Sequence, residues 1–471
     1  MDECSSMDLG YVGPKFTWAK HYVDGHSIRI RLDRCMATNS WFQKFLGTRV
    51  HHLSCMLLDH SPLLINLLGL LEPRRKRCFR YEEMWLLDPS CGKTVEEVWN
   101  STRELNPSLA IMKKVAKCEK ELTWWNKHKF GSVRRELEIK KGQLSLAKNE
   151  AMESGDNTQI RSLRMEINLL QDWESRMWCQ RSRVLWLSKG DNNTASFHNK
   201  ATKRLRKNLI RGIRDGNRAL LTSQDDIGHV MESYYKELFS SSKPYLEVDY
   251  LEKIPCMVTN KMNVDLVKEF TELEVKEALN QMAPLKAPGP DGMPPLFYQH
   301  FWVTMQHDVT SVILSWLNSG ILPEPINHTL ITLVPKIDNL ELVFDFRTIS
   351  LCNVLYKIYS KLANRLKKFL PSLITKHQST FAKERLILDN IMVAFETLHH
   401  MKQHNSVKHG FMAIKLDMSK AYDRVEWVYL EKLMEKMGFC ARWVAFLMSC
   451  VKTVLYSIMV NGEPIGMIHP K

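Results

Sequence analysis

The residues best suited to chemistry by type and spacing lie in FMAIKLDMSKAYDRVEW, from Phe411 to Trp427. Its apolar run, MAIKL, reads as a strand that delivers Asp417 at its end, with a helix expected to begin near Asp423. A carboxylate at a strand end suits a divalent metal that carries phosphates. Tyr422, on the following turn, is an aromatic that fits against a sugar. The competing role for such an aspartate is a helix N-cap. A second group, HHLSCMLLDH, gathers His51, His52, Asp59 and His60, and its three histidines by themselves read equally well as surface histidines. A third, the basic cluster Lys203, Arg204, Arg206, Lys207 and Arg211, suits either a solvated helix face or a phosphate-tracking surface with Trp and Phe nearby for base stacking. His400 and His404 sit a helical turn apart, but no Glu follows His400 and no third ligand stands near, so an exposed helix face is expected there.

Three textures position these groups. Residues 1–71 hold short β-prone runs (FTW, SIRIRLDR, SPLLINLL) broken by Gly, Pro and Asp, which predicts a sheet-rich piece. Residues 72–262 are charged, dotted with Trp and patterned at helical spacing, a basic and mostly helical connector. From 263 to 471 globular texture returns. Thr271 opens a capping-box helix, KAPGPDGMPP is a Gly/Pro loop, LITLVPKI is a strand, and ANRLKKFLPSLI and DNIMVAFETLHHMKQH are long amphipathic helices.

Composition narrows the classes. Among 471 residues, 66 Lys+Arg against 52 Asp+Glu leave a net charge of +14, which favours an anionic partner, nucleic acid before a membrane. An apolar content of 44% excludes wholesale disorder. The 11 cysteines are scattered with no C-x-x-C, which reads as reduced and intracellular. MDECSSMDLG has no signal-peptide pattern, and the longest apolar stretch, Ser61 to Leu71, is too short to span a bilayer.

The ordered blocks KAPGPDGMP, VPK, FDFRTISLCNVLYKI, QSTFAKER and KLDMSKAYDRVEW closely resemble the reverse transcriptase of plant-type non-LTR retrotransposons, from about Lys286 to Lys471. The resemblance implies that Asp417 is the first catalytic aspartate of an RNA-directed DNA polymerase and a ligand of both magnesium ions, with the Met418 carbonyl beside it. It also implies that Tyr422 lies under the incoming sugar, that Arg347 and Lys336 contact the nucleotide triphosphate, and that Gln378 and Arg385 support the template strand. DLGYVGPKFTW, RIRLDRCMATNSW and VHHLSCMLLDHSPLLI resemble the last strands of the endonuclease/exonuclease/phosphatase fold, where Asp59 and His60 match the final Asp-His pair and Asp33 the aspartate that orients the histidine. SKGDNNTASFHNK resembles the family's connector block through Asp191, Asn192, Asn193, Phe197 and His198, and a structural or RNA-docking role is expected there.

Departures accompany the matches. Thr348 stands where the family has proline, AKER replaces a Val-Pro-Gly-Arg turn, and Leu58 replaces a serine. The sequence stops before the family's Asp-Asp hairpin, and the upstream endonuclease elements are missing. The expectation is an α+β, multidomain chain: the remnant of an endonuclease α/β sandwich, a helical connector, and the fingers plus partial palm of a right-hand polymerase. RNA template, DNA primer and dNTP are the implied partners, Mg2+ (or Mn2+) the implied cofactor with impaired binding, and the nucleus the implied location. Lys203, Arg204, Arg206 and Lys207 are the expected nucleic-acid contacts in the connector. Catalytic incompleteness is expected, with a non-catalytic RNA- or DNA-binding remnant as the alternative.

Overall fold

The computed structural model describes every residue except 1–5, 23, 39–40, 42–43, 46–47, 54–58, 68–77, 155, 183–193, 244–250, 338–340, 362, 380–384, 404–410 and 471. It is a mixed helix and sheet structure. The β-prone runs near the N-terminus form β1 (Ser6–Asp8), β2 (Trp18–His21), β3 (Ser27–Ile30), β4 (Met36–Thr38), β5 (Arg49–His52) and β6 (Leu63–Asn66). They pair antiparallel as β1–β4, β2–β3 and β5–β6. Leu9 and Val50 are the buried centre of this piece, a small core.

Helices then dominate: Pro89–Ser101, Pro107–Trp125, Val133–Ser154, Thr158–Ser182 and Thr194–Asn208. Asp88 and Asn106 cap the first two, each followed by a proline whose missing N–H costs nothing at a first turn. Several aromatic side chains here face inward and are closed to base stacking, whereas Trp124 remains half exposed. Trp85, Trp99, Trp125 and Phe197 are all buried, because a ring of that area gains most by leaving water. Trp99 Nε1 donates to Asp308 Oδ2 at 2.8 Å, and Trp316 Nε1 donates to Ser108 Oγ at 2.8 Å. These bonds pin the connector to helix Trp302–Ser319. One hydrophobic core consequently runs from Tyr81 to Met448, and the position 262/263 falls inside helix Asn260–Val267.

A short hairpin, β7 (Ile213–Arg214) and β8 (Leu220–Leu221), precedes the principal sheet. That sheet contains β9 (His328–Pro335), β10 (Phe346–Cys352), β11 (Leu455–Val460) and β12 (Glu463–Ile468), in the order β10-β9-β11-β12. β9 runs antiparallel to β10 and parallel to β11. The β11–β12 turn is Asn461-Gly462, with φ of 51° and 96°, the Asn-Gly pairing that a tight primed hairpin turn favours. Asn461 also bonds both backbone groups of Ile210, at 2.8 and 2.9 Å, tying the sheet to the connector.

The loop KAPGPDG is packed against its surroundings. Gly292 has φ of +69°, and a Cβ there would lie 2.4 Å from the Phe79 carbonyl oxygen. The capping box forms between Thr271 and Glu274 as expected. ANRLKKFLPSLI, however, divides into Ala363–Lys367 and Leu370–Leu373, because Pro371 lacks the N–H that a continuing helix needs. DNIMVAFETLHHMKQ, Asp389 to Gln403, lies within helix Ile387–Gln403, which buries none of its residues. The strand expected at MAIKL is absent: residues 411–418 carry no secondary structure and are exposed throughout. A strand persists only where a neighbour takes its backbone hydrogen bonds, and this segment joins neither edge of the principal sheet.

Candidate functional site

β9 and β10 set Arg347 opposite Val334, while Lys336 follows β9 and donates its N–H to the Asp345 carbonyl at 3.0 Å. Both cationic side chains are exposed at the same end of this hairpin. The turn after Asp417 returns to that end, where Lys420 Nζ donates to the Phe346 carbonyl at 3.3 Å. Lys420 holds a left-handed φ of 54° and leads into the 3-10 turn Ala421–Arg424, which presents Tyr422 with 76% of its surface exposed. Burial pushes the Lys420 ammonium below the usual lysine range; Asp423 opposes that shift and Lys336 adds to it. Asp423 is lifted by burial and pulled back by Lys420. Lys336 and Lys420 are therefore near neighbours at the hairpin end that also carries Arg347, with Lys336 Nζ donating to the Phe344 carbonyl at 2.8 Å, and cations so placed suit a polyanion such as a triphosphate. Lys420 carried no mark in the sequence, where a lysine in a turn looks like any solvated lysine.

Asp417 and Met418 belong to the exposed 411–418 segment. One carboxylate and one backbone carbonyl are too few to hold magnesium without the phosphates of a bound nucleotide. Asp423 is no second ligand, being half-buried beside Lys420. Among the described residues no group of three His, Cys, Asp or Glu side chains could hold a metal ion. This donor set does not fit a two-ion centre, which clamps both attacking and leaving oxygens with several carboxylates.

At the other end of the chain, Asp33, Asp59 and His60 do come together. His60 Nδ1 lies 2.8 Å from Asp33 Oδ2, and the bridge between Trp18 and His60 brings Asp59 Oδ2 within 3.2 Å of Trp18 Nε1. The hydrogen bond that His60 donates to Asp33 raises the His60 pKa, with Asp59 adding to the effect, and the same bond lowers Asp33. His52 is different in kind: it is buried, stacked on Tyr11 at 4.4 Å and bonded to the Pro14 carbonyl at 2.7 Å.

Lys203, Arg204 and Lys207 are exposed on helix Thr194–Asn208. Arg211 departs from that cluster, since burial lowers its pKa and Arg49 repels it further. The structure joins Gln378 to Arg385 through the backbone: the guanidinium donates to the Gln378 carbonyl at 2.7 Å and to the Pro371 carbonyl at 3.3 Å. Residues 380–384, where the Pro and Gly of the usual turn are replaced, lie outside the described residues. Leu58, Asp191, Asn192, Asn193 and His404, and the side chains of His198 and Arg206, lie outside the described residues. Among the described residues no helix is long and apolar enough to cross a membrane.

Comparison with known proteins bears on this arrangement. Residues 334–468, which contain Lys336, Arg347, Asp417, Lys420 and Tyr422, match the family described as reverse transcriptase (RNA-dependent DNA polymerase). Over 450 residues the chain is 23% identical to the "Transposon TX1 uncharacterized 149 kDa protein" of Xenopus laevis, an alignment covering 93% of this chain and 34% of that relative. The chain spans about a third of the length of the curated relative it matches. It carries a reverse transcriptase domain, within a sequence related along most of its length to a transposon protein.

Proposed function

We propose that this chain is a segment of a plant-type non-LTR retrotransposon protein and that it binds an RNA template, a DNA primer and a deoxynucleoside triphosphate. The placement of Lys336, Arg347 and Lys420 at one end of a hairpin inside the matched span carries the reading, because neighbouring cations favour a multiply charged anion. Arg347, Lys336 and Lys420 hold the triphosphate, Tyr422 packs against the sugar, and Asp417 with the Met418 carbonyl supplies the protein oxygens for Mg2+ or Mn2+. Binding exceeds turnover: Asp417 alone cannot complete the two-ion chemistry of phosphoryl transfer. The fingers and part of the palm of a right-hand polymerase are the architecture this reading assigns to residues 263–471, and the nucleus is its place of action.

Primer extension on an RNA template with Mg2+ or Mn2+, run beside a binding assay, tests this. The expected result is a bound primer–template with no Asp417-dependent product, and binding that survives Asp417→Asn. Product that disappears in Asp417→Asn would replace the non-catalytic reading with an active polymerase. Failure of the chain to bind the primer–template would remove both.

The His60–Asp33 contact favours a second reading for residues 1–71, the tail of an endonuclease/exonuclease/phosphatase domain. A histidine oriented by one carboxylate beside another is the arrangement that phosphodiester cleavage uses. Titration of His60 tests whether that orientation holds in solution.

A further inference from the structure

A cleft of about 450 Å3 opens between helix Glu272–Asn280 and the chain that follows helix Val354–Ser360. Its floor is apolar, with Phe270, Val275, Ile313 and Ile358, and its wall carries Lys361, Lys367 and Lys368. Arg365 adds no free charge, because it is committed to Glu274 by bonds of 2.8 and 2.9 Å. Glu277 is the remaining acidic side chain on the lining. The lysines meet only neutral partners. Lys361 Nζ donates to Gln281 Oε1 at 3.1 Å, and Lys367 Nζ donates to Asn364 Oδ1 at 3.3 Å. Among the described residues, none of the three pairs with a carboxylate. Lys286, on the neighbouring Gly/Pro loop, adds to the crowding: burial lowers the Lys361 pKa, and repulsion from Lys367 and Lys286 lowers it further.

Like charges gathered on one wall, none of them paired to a carboxylate among the described residues, are stabilised when an anion neutralises them. The volume lies within the usual range of ligand clefts, about 300–1,000 Å3. The site is separate from Lys336, Arg347 and Lys420 and from the exposed cluster around Lys203. We propose that this cleft is a second nucleic-acid site, which takes the sugar–phosphate backbone of a single-stranded RNA on Lys361, Lys367 and Lys368. The proposal rests on the RNA-binding reading above and adds to it where the strand runs. Lysines suit the role, since they meet phosphates as point charges without fixing the sequence.

The test is fluorescence anisotropy of the full chain with a labelled 20-nucleotide polyuridine RNA across a salt series. Each lost phosphate contact on a single strand reduces the slope of log affinity against log salt by about 0.7. The triple variant Lys361→Gln/Lys367→Gln/Lys368→Gln is expected to flatten the slope by about 2, and the matching triple change to Arg to preserve it. Lys368→Gln alone guards against misfolding, because its side chain makes no hydrogen bond among the described residues, and a change of about 0.7 is expected. An unchanged slope in folded Gln variants, with binding lost instead in Lys203→Gln/Arg204→Gln/Lys207→Gln, would overturn the cleft and leave the RNA-binding reading standing. Absence of polyuridine binding by the wild-type chain would overturn both. Inorganic tripolyphosphate at equal phosphate concentration is expected to displace little RNA; full displacement would mark a triphosphate site and overturn the strand.

Discussion

Asp33 and His60, brought together from opposite ends of a 27-residue separation, form a 2.8 Å hydrogen-bonded pair. Each stabilises the charged form of the other: the histidine pKa is raised and the aspartate pKa lowered. The histidine's contribution to stability is fully present below its ordinary value of 6.5 and is lost as pH rises through the raised value. The aspartate's contribution is present above 3.8 and is lost as pH falls through the lowered value. The pair is therefore complete between those limits. An NMR titration should show the His60 ring protons moving at a midpoint above 6.5, and Asp33→Asn should bring that midpoint back down. An unshifted midpoint in the wild-type chain would mean that the contact does not persist in solution.

Some of this was legible in the sequence because the physics is local. The capping box at Thr271 and Glu274 needs only two residues three apart, and the β9 strand announces itself as an apolar run. Asn461-Gly462 is a local turn signal of the same kind. What escaped depends on contacts distant in sequence. Trp99 reads like a free aromatic until Asp308 accepts its N–H. Lys420 gains meaning only when it folds back onto the Phe346 carbonyl, and Lys361 only when Lys286 and Lys367 arrive beside it. MAIKL has strand composition, yet β structure requires a partner that composition cannot supply.

Asp291 gives a stability prediction with a definite pH direction. Burial lifts its pKa from 3.8 to about 7, against the opposing pull of the Met293 N–H and of Lys357. A folded pKa above the unfolded one means that the contribution of Asp291 to stability is greatest below about pH 4 and declines as pH rises towards 7. Asp291→Asn keeps an oxygen for the Met293 N–H, now bonded at 3.1 Å, and removes the buried charge. It should stabilise the chain at pH 8 by roughly 1–3 kcal/mol and change little at pH 4. Thermal melts at both pH values check this, and an equal shift at the two would show that Asp291 is not the titrating group.

Lys420 and Lys336 should act together on a nucleotide. Losing one charge-assisted contact costs about 1.5–3 kcal/mol, roughly tenfold or more in affinity. Titration with a fluorescent deoxynucleoside triphosphate is therefore expected to weaken about tenfold in Lys420→Gln and in Lys336→Gln. The double variant should lose less than the product of the two, because the ammonium groups are close enough to repel each other. Full additivity would place the two lysines on separate anions.

Arg365 tests how far the charged groups also hold the fold. Its guanidinium meets Glu274 at 2.8 and 2.9 Å, donates to the Leu266 and Glu269 carbonyls at 2.9 Å each, and lies 3.6 Å from the centroid of the Phe270 ring. Lysine cannot reproduce that planar fork, so Arg365→Lys should cost about 2–4 kcal/mol in chemical denaturation, near the lower part of the range for breaking a buried pair. Glu274→Gln should cost less, since Glu274 is more exposed and the arginine retains its carbonyl partners. The reverse order would show that the carboxylate, and not the network of carbonyls, holds the arginine in place.

Helix Ile387–Gln403 carries a stripe of Leu388, Ile391, Met392 and Phe395, each more than half exposed, and buries none of its residues. A helix of 17 residues without tertiary packing is marginal in water, because most helical stability in proteins comes from burying an apolar face. Its amides should exchange with solvent deuterium much faster than those of helix Trp302–Ser319, which buries Met305, Val309, Ile313 and Trp316. Ile391→Gln/Phe395→Gln should leave global stability within about 0.5 kcal/mol, as for ordinary surface changes, and should lower the binding of an apolar dye. Protection equal to that of Trp302–Ser319, or destabilisation well beyond that margin, would show that the stripe is covered in solution.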